Sequence, residues 1–195
     1  MTAPQLLLLV VWGWPTACAL LSVVIRRPAV LLPFSALPGL ACALLAPAGS
    51  TLPLPPLLLG AVLRVDAVGA VFLGLCALLW TLAGLYALAY VGRRPRERSF
   101  CIFWQLTLAG SLGVCIAADA ASFYLAFAAL SLAAWVLVIH DRKPAALRAG
   151  RIYIALAIFG EVALLLGLVI AARAAGLRSW ITSTHAASDS AANAR

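Results

Sequence analysis

One acidic residue lies inside an apolar stretch of this sequence and could do chemistry there. Glu161 lies about midway along residues 152–172, in the run Phe159-Gly160-Glu161-Val162. A carboxylic acid at the centre of a bilayer is costly, and such residues usually mark proton or ion paths or contacts between helices. Two interpretations stay open: a protonatable site or interhelical anchor that faces the bundle interior, and a neutral, hydrogen-bonded acid with a packing role. No intramembrane lysine or second intramembrane acid is present to pair with it.

Two further carboxylates, Asp66 and Asp119, lie at the ends of apolar stretches. Asp66 follows Arg64 at a predicted membrane boundary, and Asp119 immediately precedes the fifth stretch. A carboxylate at this position complements the positive end of the helix dipole. Capping or interface anchoring is therefore the default interpretation for both, with an ion path as the alternative.

Enzyme and metal chemistry find little support in the sequence. The five cysteines lie in apolar stretches without a CxxC pair, and His140 and His185 lie outside the predicted helices, so packing is the better interpretation of the thiols. The motifs GxSxG, HExxH, GxGxxG and the P-loop do not occur. We predict no catalytic residue, no metal site and no cofactor. The cysteines are Cys18, Cys42, Cys76, Cys101 and Cys115.

The composition requires a bilayer. Of 195 residues 65% are hydrophobic and 10% charged, and the mean hydropathy is +1.09, whereas a soluble domain carries about 25% charged residues. The net charge of +8 comes from arginine clusters between apolar runs. That placement indicates membrane topology and argues against a nucleic-acid partner. We predict a multi-pass integral protein of the bacterial inner membrane.

Six stretches approach the roughly 20 apolar residues that a spanning helix needs. They predict an all-α membrane protein, a bundle of about six transmembrane helices over residues 1–172, followed by a polar, disordered tail over 173–195. Pro33 and Pro38 interrupt the second stretch, and a proline-rich loop or interfacial segment follows it. The stretches are 5–25, 29–47, 66–91, 99–118, 120–139 and 152–172.

Orientation follows from the basic residues. The loops after the first, third and fifth stretches hold ten Lys and Arg, and the opposite loops and the tail hold four. Since basic loops stay in the cytoplasm, the N-terminus is predicted to lie outside, and six crossings would bring the C-terminus outside too.

Four segments carry a resemblance to a known family. They resemble the N-terminal part of the antiporter-like membrane subunits of complex I, of Mrp-type cation/proton antiporters, and of the membrane-bound hydrogenase and formate hydrogenlyase complexes. The resemblance implies a bundle of membrane helices that packs against other membrane subunits of a redox-driven, ion-pumping complex. The segments are Leu63-Arg64-Val65-Asp66-Ala67-Val68-Gly69-Ala70-Val71-Phe72, Ala118-Asp119, Ser131-Leu132-Ala133-Ala134-Trp135-Val136-Leu137, and Arg148-Ala149-Gly150-Arg151-Ile152-Tyr153 with Gly160 to Gly167.

Departures from the family pattern shape the functional prediction. The family has a Trp-Glu pair in helix five, with a key protonatable Glu, where this chain has Phe127 and Ala128, and no acid occurs from Ala120 to Ile139. The sequence also ends before the family's helix seven with its partner Lys. The resemblance then implies an accessory or split subunit with a structural role, non-catalytic by itself, in an NADH-quinone oxidoreductase or hydrogenase-like complex. The alternative is a small independent oligomeric ion transporter or channel that uses Glu161.

Overall fold

The computed structural model describes the backbone of residues 3–54, 61–91 and 96–193, and side chains as far as Gly176. Helices dominate it, and the predicted all-α membrane class is confirmed. The elements are α1 (Ala3–Val24), a 3-10 helix (Pro28–Leu31), α2 (Leu37–Leu45), β1 (Ser50–Leu54), β2 (Ala61–Val65), α3 (Ala67–Val91), α4 (Glu97–Ile116), α5 (Ala120–Val138) and α6 (Pro144–Asn193).

Five of the helices in the described part of the chain are long and apolar enough to cross a membrane, where about six were predicted. They are α1, α3, α4, α5 and the Pro144–Gly176 part of α6. Each helix satisfies its backbone N–H and C=O groups with hydrogen bonds inside the helix, as is necessary in lipid, which offers none. The predicted orientation and the bounds of the membrane domain stay predictions.

The second predicted span, 29–47, is not one helix. It divides into the four-residue 3-10 helix and the nine-residue α2, with turns between them. Pro33 and Pro38 explain the division, because proline lacks an N–H and clashes with the preceding helical turn. Pro38 falls in the first turn of α2, where a missing N–H costs nothing. Buried Ser35 donates its hydroxyl to the carbonyl of Leu32 (2.8 Å) between the two helices.

A β-hairpin occupies part of the segment predicted to be a proline-rich loop. Strands β1 and β2 pair antiparallel, with Leu52 opposite Leu63. Leu52, Leu63 and Val65 are buried, whereas Thr51 and Arg64 are exposed, so the alternation of a half-buried hairpin is present. The connecting residues 55–60 lie outside the described part of the chain.

Helix α4 forms the centre of the bundle. It packs against α1, α3 and α5. In each membrane-spanning helix we call an 18-residue stretch of high hydropathy its apolar window; half of this window is buried in α4, a larger share than in the other four described spans. Leu108 and Leu112 of α4 meet Leu8 of α1 and Leu73 of α3 in the main core cluster, which also includes the buried residues of the hairpin. The hairpin therefore rests on the same core as the helices.

Two glycines permit close approach of backbones. A Cβ on Gly84 of α3 would lie 2.8 Å from the carbonyl carbon of Leu32. A Cβ on Gly110 of α4 would lie 2.7 Å from the amide nitrogen of Leu130 in α5. At both positions the neighbour is backbone, so only glycine allows these elements to lie as close as they do.

The chain divides into two compact units. The first covers Met1–Ala157 and the second Ile158–Arg195. The disordered tail over residues 173–195 stays a prediction. Helix α6 begins in the first unit, and its helical backbone continues to Asn193. Repeated alanines, the strongest helix formers, account for the continued helix. Side chains beyond Gly176 lie outside the described part.

Candidate functional site

Asp119 connects the hairpin to the turn between α4 and α5. Its carboxylate accepts a hydrogen bond from the Ser122 amide (2.8 Å) as N-cap of α5, and another from the Ser122 hydroxyl. Its second oxygen accepts the amide of Val62 in β2 (2.9 Å). The Asp119 side chain thus caps α5 and binds strand β2, and so it connects the turn between α4 and α5 to the hairpin.

The surroundings of Asp119 favour its charged form. Partial burial opposes ionisation, but hydrogen bonds from the Ser122 side chain and from the Val62, Ser122 and Ala121 amides lower the pKa of this carboxyl below its ordinary value. The carboxylate is therefore a fixed anion at neutral pH. That property suits a structural cap better than a group that exchanges protons.

Asp66 begins α3 in a similar way. Its carboxylate accepts the Gly69 amide at 2.7 Å, which satisfies one of the free amides of the first turn. Its other oxygen lies 3.6 Å from the guanidinium of Arg64, and both side chains are about half exposed. An exposed pair of this kind contributes little to stability.

Strand β2 brings Asp66 and Asp119 to one end of the first unit. Asp66 follows the strand directly, and Asp119 binds its Val62 amide. The chain after α4 pairs with the same strand, through a bridge between Leu63 and Ala117 and a hydrogen bond from the Ala118 amide to the Val62 carbonyl (2.9 Å). The described contacts of both carboxylates are those of helix caps and strand anchors.

Glu161 lies in the second unit, on the apolar part of α6, and its side chain is partly exposed. It has an interaction partner in the structure. The two sequence-based interpretations of Glu161, as a protonatable site or as a packing acid, both stay predictions.

Sequence reasoning overlooked a buried polar residue, Gln105. It lies near the middle of α4 and is fully buried, and neither its side-chain oxygen nor its nitrogen has a hydrogen-bond partner among the described residues. Neighbouring Trp104 packs on Trp80 and Phe100 with its buried indole N–H also unpartnered. The sequence does contain a signal for this site, because Gln105 is a polar amide within an apolar run. Such side chains often form hydrogen bonds between membrane helices.

Replacing Gln105 by leucine is expected to raise the free energy of unfolding by about 1–3 kcal/mol, because it removes a buried amide without partners. Thermal unfolding in detergent, followed by circular dichroism, measures the change. The matched control is Thr107→Val on the same helix, because the hydroxyl of buried Thr107 does donate, to the Phe103 carbonyl at 2.6 Å. A loss of stability in Gln105→Leu as large as in Thr107→Val would show that the amide has a partner in the membrane.

The cysteines lie within the helix packing. Cys18, Cys42 and Cys101 are buried, and the thiols of Cys76 in α3 and Cys115 in α4 hydrogen-bond to each other. All five are free thiols. Within the described residues, no group of three or more His, Cys, Asp and Glu side chains lies close enough to hold a metal ion.

Comparison with known proteins shows a similarity of fold to solved structures. No protein-family model matches the chain, and no curated protein matches it in sequence. A solved structure does match in fold, a chain in the structure of the membrane-bound sulfane sulfur reductase, an archaeal respiratory membrane complex. The superposition has a TM-score of 0.66 at 18% identity and covers 84% of this chain. This chain spans 36% of the length of the other.

Fold and site together define a multi-pass, all-α integral membrane protein. More particularly, it shares its fold with about a third of a chain from a respiratory membrane complex.

Proposed function

We propose that this chain is a membrane subunit of a redox-driven, ion-translocating complex, and that it is an antiporter-like subunit with a structural or accessory role. The fold similarity to a chain of an archaeal respiratory membrane complex carries the proposal. It extends over 84% of this chain, which is more than a single pair of helices.

Residues of the family-like segments support the proposal because they form hydrogen bonds between different elements of the fold. The Trp135 indole donates to the Gly150 carbonyl (3.0 Å), and the Tyr153 hydroxyl lies 3.4 Å from the Ser131 carbonyl as its donor. These contacts connect the segment of α5 with the segment at the start of α6. Asp119, from a third segment, anchors the hairpin. Segments that are far apart in sequence thus work together to fix the fold.

The distribution of acids favours a structural role over pumping. Of the six acidic residues, only Glu161 lies inside an apolar span, and α5 contains none. Asp66 and Asp119 are engaged as caps. A proton path through a membrane uses a chain of titratable groups, and this chain offers a single one.

The apolar surfaces of the helices suit partner subunits. In α3 only 17% of the apolar window is buried, and in the Pro144–Gly176 part of α6 none is. Large side chains such as Phe72 and Tyr86 on α3 are exposed. In a bilayer such surfaces contact either lipid or the helices of neighbouring subunits. The proposal assigns part of them to neighbours in the complex.

Purification of the tagged chain in mild detergent, with mass spectrometry of what migrates with it on a native gel, tests the proposal. We expect hydrogenase-like or complex-I-like subunits in fixed stoichiometry, absent from a parallel purification of an unrelated tagged membrane protein of similar size. Recovery of this chain alone, from membranes cross-linked before extraction, would contradict membership of a complex.

The substitution Glu161→Gln tests the structural role within such a complex. We expect the number of ions pumped per electron to stay unchanged, because the amide keeps the size and hydrogen-bonding ability of the acid and loses only its proton exchange. Ion uptake and electron transfer measured on the same vesicles give this ratio. Glu97→Gln, at the start of α4 and outside the apolar window of α6, is the matched control. If pumping fails in Glu161→Gln while assembly is intact, Glu161 belongs to an ion path.

A small independent transporter is the second candidate, favoured by the position of Glu161 on a helix without buried residues in its apolar window. Oligomers that place Glu161 of each copy along one axis would form such a path. Ion flux by the purified chain alone in liposomes, lost in Glu161→Gln, would favour this candidate and contradict the accessory role.

A further inference from the structure

A long apolar groove runs along the bundle between α1, α4 and α5. Its volume is about 660 Å³, within the range of sites that hold organic ligands. Trp12 contributes from α1, Phe103 and Gly110 from α4, and Ala129 and Trp135 from α5. Thr16 and Ser122 are its polar lining residues, and both hydroxyls have partners, the Gly13 carbonyl and Asp119. The groove therefore offers apolar surface and little hydrogen bonding.

The length of the groove suits a lipid chain. On α5 its lining extends from Ser122 to Val136, which is about 20 Å of helix at 1.5 Å per residue. One leaflet of a bilayer is about 15 Å deep, so a fatty acyl chain fits within this length. The lining includes small residues of both helices, Ala126 and Ala129 of α5 and Gly110 and Gly113 of α4, which leave space in the groove.

One end of the groove meets positive charge. Trp135 also lines a smaller cavity of about 290 Å³, together with Gly150 and Arg151 at the start of α6. Arg148 precedes Arg151 by three residues, and side chains with this spacing neighbour each other on a helix. Both arginines are exposed, and no carboxylate of the described residues forms a salt bridge with either. The end of the groove thus carries two cations that have no described counter-charge.

We propose that this groove binds one anionic phospholipid. One of its acyl chains lies along the groove, against the lining faces of α1, α4 and α5, and its phosphate is bound by Arg151, with Arg148 adding charge from the same face. Guanidinium groups bind phosphate through paired charge-assisted hydrogen bonds, and basic pockets beside membrane helices bind anionic headgroups. The continuity of the apolar groove with the basic end favours a lipid over a partner helix, which would leave the arginines without an anion.

Native mass spectrometry of the purified chain tests this site. After exchange into detergent with equal amounts of phosphatidylglycerol and phosphatidylcholine, we expect one phosphatidylglycerol retained per chain, in clear excess over phosphatidylcholine. Ala129→Phe fills the groove and Arg151→Gln removes the main cation, and each is expected to lower the retained phosphatidylglycerol by about tenfold. If Ala129→Phe does not fold, Ala129→Leu gives a milder obstruction, and Arg151→Gln tests the headgroup end independently.

Two controls separate this site from the general lipid surface. Ala83→Phe adds the same bulk at an exposed position of α3, and Arg98→Gln removes an exposed cation near the start of α4, so neither should change the retained lipid. Equal retention of the two lipids, or loss of lipid in the controls as large as in the groove variants, would overturn the proposal. A photo-crosslinker at position 129 that joins another protein chain, with no lipid retained, would assign the groove to a partner helix and overturn it as well.

Discussion

Replacing Asp119 by alanine is expected to lower the free energy of unfolding by about 2–4 kcal/mol, since an N-cap contributes about 1 kcal/mol and each donor left without its partner costs more. The carboxylate accepts hydrogen bonds from the Ser122 amide, the Ser122 hydroxyl and the Val62 amide. Its loss releases the hairpin from the turn between α4 and α5. The apparent melting temperature in detergent, measured by circular dichroism, should fall well below that of the wild type.

The matched control is Asp66→Ala, because Asp66 also caps a helix but is more exposed and binds only its own helix and Arg64. It should lower the free energy of unfolding by about 1 kcal/mol, the usual contribution of an N-cap. An equal effect of the two substitutions would show that the contact of Asp119 with β2 adds nothing to stability.

The pH dependence of stability follows from the same carboxylate. Because the folded state lowers the pKa of Asp119, its contribution is fully present above the unfolded value of about 3.9 and is lost as the pH falls through the folded pKa. The wild type should therefore lose more stability than Asp119→Ala when the pH falls from neutral to below that range. Parallel losses in the two proteins would contradict the assigned hydrogen bonds.

Replacing Gly110 by alanine is expected to destabilise the bundle by about 1–3 kcal/mol or more, as overpacking in close-packed interiors does. The added methyl group would lie 2.7 Å from the Leu130 amide nitrogen and 2.8 Å from its Cα. The backbone of Leu130 cannot adopt another rotamer as a side chain can, so α4 and α5 must move apart to accommodate the methyl group. Thermal unfolding in the same detergent measures the loss.

Gly13→Ala in α1 is the control for this substitution. No atom lies within 4 Å of a Cβ at Gly13, so alanine there should leave stability unchanged or raise it by up to about 1 kcal/mol through its better helix propensity. If Gly110→Ala is as stable as Gly13→Ala, the two helices are not packed through their backbones at this point.

The sequence by itself determined that this is a helical membrane protein. Apolar runs of this length leave one favourable outcome, because lipid satisfies no backbone hydrogen bond and a helix satisfies its own. The same reasoning placed Asp66 and Asp119 at helix starts, since capping depends on local chain direction and on the few amides of the first turn. These features depend on neighbours in sequence, and so they can be read from it.

Only the tertiary structure decided how the elements meet. The hairpin was not predicted because its strands are only five residues long and β1 contains Pro53. Their pairing depends on the bridge between Leu63 and Ala117 and on the core beneath Leu52 and Leu63. The second span divides at its prolines, although a proline inside a membrane helix is often tolerated, because Ser35 and neighbouring turns provide the hydrogen bonds there. The burial of Gln105, the fit at Gly110 and the groove between α1, α4 and α5 depend on residues distant in sequence. Contacts of that kind are fixed by packing in three dimensions, which the order of residues along one chain does not reveal.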